Sequence, residues 1–438
     1  MLVMGTLFST VCLAKKPENS SNVQRLPADS SAKRLDFRTL ANCIDQRYRR
    51  QLNDGLIDAQ AAQELMSSRL LPSIAGSVTA ESRGTGTSPV IGSGLGSNST
   101  SFGVTLTQQI INLAQWAELR DTHRAEEAAE LDLEDQLLNV ALSAVRPYYD
   151  YVSNLEQRAI KRKRIARLQK TVAVLRELVG LRIADSADLF ASESELKGAE
   201  IQLDQLSADA VDAVGALRVA LGLKYGEEIV PMDSGPERPP LPDQVEAEQI
   251  AKNLPAYRRL GKLVESFDAG RASAQLEWLP TVSLLGNYNH QLSPHVDLPD
   301  SFAVAASLSW NVFDQGSRSI RARQSVHHLD AAMAREEAKA LELDAQIRSE
   351  LFRNGVEQRS ERNSRVRFEL ATKSFDVGWT LFSAGKKSFV AMTLLEEALA
   401  NTELELTAIR NRLAQSNAKI WLWKSYHGGV REVGHCEL

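Results

Sequence analysis

At 438 residues the chain is long enough for two or three ordinary domains, yet only 6% of its residues are aromatic, which argues against a bulky core. Alanine, leucine, glutamate and arginine are abundant instead, as is typical of long helices with a thin apolar seam. The formal net charge of −5 is small for this length and argues against a general nucleic-acid-binding role.

The N-terminus has the features of an export signal. Residues 2–13 form an apolar run that is too short to span a membrane as a helix. Cys12 and Ala14 form a small-x-small cleavage site after it. We therefore predict a signal peptide over residues 1–14, with an ordinary buried first segment as the alternative. If Cys12 leaves with the signal, Cys43 and Cys436 remain, and the sequence leaves open whether they form a disulfide or are two free thiols.

The first half of the chain predicts a helix, two strands and a very long helical hairpin. Leu71-Pro72 ends the first helix, because a residue that precedes proline avoids the α region. The hairpin carries apolar residues at seven-residue spacing, as in a coiled coil, and Pro147 predicts a kink in its first helix. The predicted bounds are a flexible segment 15–33 and a first repeat 34–225, with a helix over 36–70, strands over about 73–80 and 101–110, a Gly/Ser/Thr loop over 81–100 and the hairpin over about 114–222.

The second half predicts the same order of elements after an irregular, proline-rich linker. Its bounds are the linker 226–245 and a second repeat 246–425, with a helix over about 249–277, strands over about 281–289 and 301–313, a helical hairpin over about 319–425, and then a C-terminal tail 426–438. Residues 106–112 align with residues 308–314, and a Leu-Pro pair precedes the first strand of each half, at residues 71–72 and 279–280. The chain is therefore a duplication.

All four strands alternate between apolar residues and small or polar ones, which predicts a sheet with one apolar face. The residues predicted for that face are Ile74, Val78, Phe102, Val104, Leu106, Val282, Leu284, Tyr288, Phe302, Val304, Leu308 and Trp310. Each strand has about the 9–11 residues that cross a bilayer when tilted. Four strands cannot close a barrel, so membrane insertion requires oligomerisation: two copies give eight strands and three give twelve. The alternative is a small antiparallel sheet that caps a soluble helical scaffold.

Several stretches, in order and in duplicate, resemble the TolC-type outer-membrane efflux and secretion channel family over residues 35–425. The clearest are the strand-to-helix junction LTQQIINLAQWAEL at 106–119, the segment WNVFDQG at 310–316, Phe382-Ser-Ala-Gly385 with the helix after it, and ALRVALG at 216–222. The resemblance implies a mostly α-helical protein with a membrane β part: a homotrimer with a twelve-stranded barrel in the outer membrane, continued by an α-helical coiled-coil barrel in the periplasm.

The implied function is a passive exit duct for small-molecule efflux or type I protein secretion, driven by an inner-membrane transporter through a periplasmic adaptor protein. In such a tube the hairpin turns form the periplasmic gate. By position the resemblance assigns that gate to Asp185, Asp188, Phe382, Lys386 and Lys387. The acidic pore ring of the family falls on Ala391 and Leu394 in this chain. Asp185 and Asp188 have an equally good alternative role as helix N-terminal caps.

No phosphate loop, metal cluster or nucleophile–base pair is evident in the sequence, so we predict no enzyme activity, no cofactor and no metal. His327-His328 with Asp330 is interpreted as a solvated surface, and the basic run over residues 158–170 as a solvated helix face or a contact for a partner protein. A soluble periplasmic coiled-coil scaffold or adaptor is the alternative function. A nucleic-acid-binding helical protein conflicts with the acidic charge balance and the export signal.

Overall fold

A computed structural model describes residues 33–35, 37–83, 97–222, 229–231, 244–292 and 299–425. Two very long helices, each followed by a shorter antiparallel partner, dominate the fold, and a four-stranded sheet lies at one end of them. In chain order the elements are β1 (Lys33–Leu35), α1 (Phe37–Arg49), α2 (Asp54–Ser68), β2 (Ser73–Arg83), β3 (Ser97–Ile111), α3 (Leu113–Gly180), α4 (Ser186–Leu221), β4 (Ile229–Pro231), α5 (Gln244–Asn253), α6 (Pro255–Leu276), β5 (Thr281–Leu292), β6 (Ser301–Ser309), α7 (Ser317–Ser383) and α8 (Phe389–Ser425).

The sheet joins the two halves of the chain. Its strand order is β2-β3-β5-β6, with every neighbouring pair antiparallel, so the second strand of the first half pairs with the first strand of the second half. One rung across all four strands consists of Gly76, Val104, Tyr288 and Phe302. Near the helices a bulge in β3 lets Ile111 pair with Val282. Within one chain β2 and β6 are the edges of this sheet.

The helices follow the same lateral order as the strands. Next to the sheet, α3 packs against α2 and α6, and α6 packs against α7. Further along, α3 packs against α4 and α8, and α8 packs against α7. The predicted heptad positions face these contacts, since Leu131, Leu138 and Val145 are all buried. One chain is thus a layer about four elements wide along its whole length.

The main core lies where the short helices meet the middle of the long ones. Phe37 contacts the rings of Tyr148, Tyr149 and Trp421 at centroid distances of 5.8, 5.8 and 6.0 Å. Tyr148 is fully buried, one residue after Pro147, and α3 continues through this proline from residue 113 to 180. The kink at Pro147 stays a prediction.

Several predicted bounds were wrong. The helix predicted over 36–70 is two helices, α1 and α2. The one predicted over 249–277 is also divided, because Leu254 is extended and Pro255 begins α6 as its first residue. β2 and β3 reach into the predicted Gly/Ser/Thr loop, since their ladder continues to the pair of Arg83 and Ser97. β5 likewise continues to Leu292.

The fourth strand is shorter than predicted, and the linker is not wholly irregular. β6 ends at Ser309 rather than residue 313, because the chain turns there to begin α7. Within the linker, β4 pairs in parallel with β1. The predicted signal peptide 1–14 and tail 426–438 lie outside the described residues. No helix in the described part of the chain is both long enough and apolar enough to cross a membrane.

Cys43 is buried in α1 and is disulfide-bonded. The two other cysteines of the chain, Cys12 and Cys436, lie outside the described residues. Cys43 is therefore not the free thiol that the sequence left as one of two alternatives.

Candidate functional site: the sheet faces and the hairpin tip

The strand register places the predicted apolar residues on one face of the sheet. Cross-strand pairs such as Ile74–Leu106 and Val282–Leu308 connect them from edge to edge. This face is open in the single chain, where Ile74 is 70% and Phe302 75% exposed. Trp310 is the exception, since it lies one residue beyond the end of β6.

The opposite face consists of small and polar side chains. Three rungs cross all four strands, and their residues are Ser73, Thr107, Leu285 and Ala305; Ala75, Thr105, Asn287 and Ala303; and Ser77, Gly103, Asn289 and Ser301. A Cβ atom at Gly103 would lie 2.8 Å from the Ser77 hydroxyl, so a larger residue there requires that hydroxyl to rotate away. The sheet therefore has one apolar and one polar face, and neither is the core of a folded domain.

Aromatic side chains mark both ends of the apolar face. Phe102, Tyr288 and Phe302 lie at the loop end and are at least 40% exposed. Trp278 and Trp310 lie at the helix end, where the Trp310 indole N–H donates to the Trp278 carbonyl oxygen at 3.1 Å. Aromatic girdles on either side of an apolar band are typical of transmembrane β-sheets.

A buried ion pair holds the last strand, α6 and α7 together. Arg318 is only 4% exposed; it donates to the Asp314 carboxylate at 3.0 Å and to the carbonyl oxygens of Glu277 and Asn311. Its guanidinium carbon lies 4.5 Å from the ring centroid of Trp278. Asp314 also accepts hydrogen bonds from the Ser317 hydroxyl and the Arg318 backbone N–H, and these bonds, with the Arg318 charge, lower the pKa of Asp314 to about 2.

The two hairpin turns meet at the far end of the helices. Gly385 has a φ of +70°, and a Cβ atom added there would lie 3.5 Å from the Ile183 side chain of the first turn. Beneath the turns a second apolar cluster joins the two hairpins; its buried members are Leu175, Phe375, Phe382, Phe389, Met392 and Leu399. Phe382, a predicted gate residue, is therefore part of this core, with 1% of its surface exposed.

The charged residues predicted for the gate surround this tip but do not pair with one another. Asp185 caps α4, since its side chain accepts a hydrogen bond from the backbone N–H of Ala187 at 3.2 Å. Asp188 is half-buried in the first turn of α4, Lys386 is exposed, and Lys387 is half-buried. Among the described residues of this single chain, no hydrogen bond or ion pair joins either aspartate to either lysine.

Sequence reasoning missed an ion-pair seam between the two hairpins. Glu396 on α8 is 3% exposed, and Arg164 and Arg167 on α3 donate to its carboxylate at 3.0 and 3.1 Å. Arg167 also lies 5.7 Å from the ring centroid of Phe375, and Lys163 pairs with Glu403 at 3.2 Å. Three of the seven basic residues over 158–170 therefore bind acidic residues of the same chain, so this is not a wholly solvated face.

A sequence signal for this seam was present. Phe389, Met392, Glu396 and Leu399 follow the 3–4–3 spacing of a helix core face, so a glutamate occupies a core position. A buried carboxylate requires a cationic partner, and the basic run supplies one.

Of the two neighbouring histidines, His327 and His328, the second packs against another side chain. His328 stacks on Phe267 with a centroid distance of 6.1 Å. No three His, Cys, Asp or Glu side chains within the described ranges are close enough together to hold a metal ion.

This fold defines a class: a duplicated β-hairpin plus long helical hairpin, with a two-faced sheet at one end. Solved structures that share it include the outer-membrane channel OprN, with 18% identity, a TM-score of 0.75, and 88% of this chain and 89% of that chain covered. The CmeC outer membrane channel of Campylobacter jejuni gives 14% identity and a TM-score of 0.77, over 91% of this chain and 87% of that chain. The MtrE outer membrane channel of Neisseria gonorrhoeae gives 14% identity and 0.71, over 90% and 89%.

Residues 248–421 match the family model described as outer membrane efflux protein. Those residues contain nearly all of the second repeat, from α5 through most of α8. No curated protein sequence matches the chain. This match, together with the shared fold, confirms the resemblance identified from the sequence.

Proposed function

We propose that this protein is a subunit of a homotrimeric outer-membrane channel that acts as a passive exit duct. The observation that carries the proposal is the sheet. Its apolar face is exposed, and among the described residues no further strand pairs with its edges β2 and β6. The match of residues 248–421 to the outer membrane efflux protein family supports the same location. In lipid the unpaired backbone groups of an edge strand cost several kcal/mol each, so the edges require partners.

Closure by other copies of the chain satisfies both edges. Because β2 and β6 lie on opposite flanks, β6 of one copy pairs with β2 of the next, and the contact repeats until the ring closes. Three copies supply twelve strands, which enclose a lumen, whereas eight strands enclose little more than their own side chains. The proposed ring is therefore a trimer.

The helices support the same closure. α7 forms one flank of the layer and exposes apolar side chains such as Leu341, Phe352 and Leu370, at 68, 73 and 60%. α4 lies on the other flank and exposes Val211 and Val219, at 64 and 78%. Around a ring these two flanks face each other, so that neighbouring copies bury both stripes.

The apolar face has the dimensions of a membrane band. The nine residues of β6 span about 30 Å at 3.3 Å per residue. Tilted by about 40°, that strand covers about 23 Å along the membrane normal, close to the apolar band of known outer-membrane barrels. The two aromatic bands then lie at the two interfaces with water.

The duct works with other proteins in this proposal. An inner-membrane transporter supplies the energy, and a periplasmic adaptor protein links that transporter to the hairpin tip. The cargo is small molecules or, in type I secretion, unfolded polypeptide. Closure of the tip is assigned to Asp185, Asp188, Phe382, Lys386 and Lys387, which lie in or beside the two turns.

A pair of neighbouring substitutions tests the membrane assignment. Lysine at the apolar face costs about 2–4 kcal/mol in the middle of a bilayer, whereas lysine at the opposite face meets water. We expect Val304→Lys to reduce the amount of heat-sensitive oligomer extracted from outer membranes with detergent. Ala305→Lys, the matched control on the polar face, should assemble normally.

Fractionation of cells that express the unsubstituted chain gives the decisive outcome. Recovery in the outer membrane, with a slowly migrating trimer that heating dissociates, supports the proposal. A protein that stays soluble without detergent contradicts it and favours a periplasmic coiled-coil scaffold.

The gate assignment needs a separate measurement. In planar bilayers, Lys387→Gln and Asp188→Asn should raise the conductance or the open time if these residues hold the tip closed between subunits. Lys197→Gln, which removes an exposed charge paired within α4 (Lys197 Nζ–Glu200 Oε2, 2.7 Å), is the control and should leave conductance unchanged. Equal conductance of all four proteins would remove Lys387 and Asp188 from the gate.

A further inference from the structure

The polar face of the sheet carries no charged side chain on its three complete rungs. The twelve residues there are five serines or threonines, three alanines, one leucine, one glycine and two asparagines, Asn287 and Asn289. Towards the helices the next positions on this face are Gln109, Ser283 and Ser307, which are also neutral. The neutral stretch therefore continues almost to the sheet–helix junction.

The charges nearest to this stretch lie at its outer end or on the other face. Glu81 and Arg83 are on the polar face by register, but they pair with Ser99 and Ser97 beyond the last four-strand rung. Asp300 lies just before β6, and its carboxylate accepts a hydrogen bond from the Tyr288 hydroxyl at 2.7 Å and contacts His290 Nδ1 at 2.5 Å. Tyr288 and His290 are both on the apolar face, so this acidic group is engaged on the outside of the sheet.

In the proposed channel the polar face lines the lumen, because the apolar face must meet lipid. Channels select ions through rings of charged side chains or ordered carbonyl groups. In a β-sheet the backbone carbonyl groups accept hydrogen bonds from neighbouring strands, and the side chains of these rungs carry no charge. A lumen with this lining has no fixed charge that concentrates one sign of solute over the other.

We propose that the membrane-spanning part of this duct does not select solutes by charge, and that it admits neutral, anionic and cationic solutes alike. The inference rests on the proposed function and deepens it, since it defines the class of cargo that the barrel admits. Any charge selectivity of the whole channel then arises in the helical part, for example from the lysines of the second turn.

The test measures the local potential at one rung by the reaction of a single cysteine. Asn287→Cys is placed on the polar face and Tyr288→Cys, its neighbour on the same strand, on the apolar face. Each assembled channel is treated with two methanethiosulfonate reagents of similar size, one anionic and one cationic. The unsubstituted protein reports background reaction, and a small free thiol gives the intrinsic rate ratio of the reagents.

We expect Asn287→Cys to react with both reagents at a ratio within about threefold of the free thiol, because fixed charge of one sign changes local concentrations by about tenfold or more. Adding Asn289→Asp on the adjacent rung is the positive control and should favour the cationic reagent by about tenfold. A tenfold preference at Asn287→Cys without that aspartate would overturn the inference. If Asn287→Cys does not assemble, Ala303→Cys on the same rung takes its place.

The proposed function fails in a different way. If Tyr288→Cys reacts fast and Asn287→Cys does not, the lumen lies on the other face. If the protein is soluble and both cysteines react at equal rates, there is no barrel. Both failures appear as a change in the relative reactivity of the two cysteines. Failure of the charge inference appears instead as a change in the ratio of the anionic and cationic reaction rates at Asn287→Cys.

Discussion

Removal of the charge on Glu396 tests whether the ion-pair seam holds the two hairpins together near their tip. Glu396→Gln keeps the shape of the side chain but leaves Arg164 and Arg167 without a carboxylate. Breaking a buried pair by removing one partner costs about 3–5 kcal/mol, and these arginines are 14 and 20% exposed, so water recovers part of that and about 2–3 kcal/mol remains.

Hydrogen exchange of the assembled protein in detergent measures this loss locally. A cost of about 2–3 kcal/mol corresponds to amide exchange about 30- to 150-fold faster over residues 389–399 if the tip opens as a unit. Glu405→Gln is the matched control on the same helix. It breaks an Arg367–Glu405 pair at 2.8 Å whose side chains are 62 and 43% exposed, and should cost at most about 1 kcal/mol. Equal exchange at the tip in both variants would refute the proposed role of the seam.

Three further predictions concern a buried amide, the second hairpin turn and the Arg318 junction. Asn354→Leu should lower the free energy of unfolding by about 1–3 kcal/mol, because the fully buried Asn354 amide donates to the Ser416 hydroxyl at 3.0 Å. Thermal melting followed by helical circular dichroism measures this, and a stability equal to that of the unsubstituted protein would contradict it. Gly385→Ala should cost about 1–2 kcal/mol through the left-handed backbone at φ +70° and show as faster proteolysis at the turn, whereas Gly355→Ala, which meets no atom within 4 Å, should not. Asp314 stabilises the junction above its unfolded pKa near 4, and this contribution is lost as pH falls through about 2; Asp314→Asn should therefore flatten the acid dependence of melting over that range.

The period-2 and seven-residue patterns determine much of the fold, and these could be read from the sequence. The alternation in residues 301–309 fixes which side chain lies on which face, because a strand allows no other choice. The second helical hairpin, predicted over about 319–425, ends at residue 425 as α8 does. The division at Leu254-Pro255 was equally readable, since the same rule was applied at Leu71-Pro72.

The partners of charged residues could not be read in the same way. Arg164 and Glu396 are 232 residues apart in the chain, and only the side-by-side packing of α3 and α8 brings them together. The buried Arg318 junction has the same origin, because its ligands come from the end of α6, the end of β6 and the start of α7. Among the predicted gate residues the core position of Phe382 and the cap at Asp185 are observed, and the gating role itself stays a prediction.

Because α7 is so long, the angle at which the Arg318 junction holds it determines the position of the far turn. Its 67 residues extend the helix by about 100 Å, so a rotation of one degree at the junction displaces the far turn by about 1.7 Å. A rotation of two degrees therefore displaces the turn by more than the distance that separates a hydrogen-bonded pair from two groups too far apart to bond. In the proposed channel, a small distortion of the junction near the membrane, whether from lipid thickness or a substitution, therefore moves the tip by several ångströms. The width of the proposed aperture at the tip then depends on how rigidly the Arg318 junction holds α7.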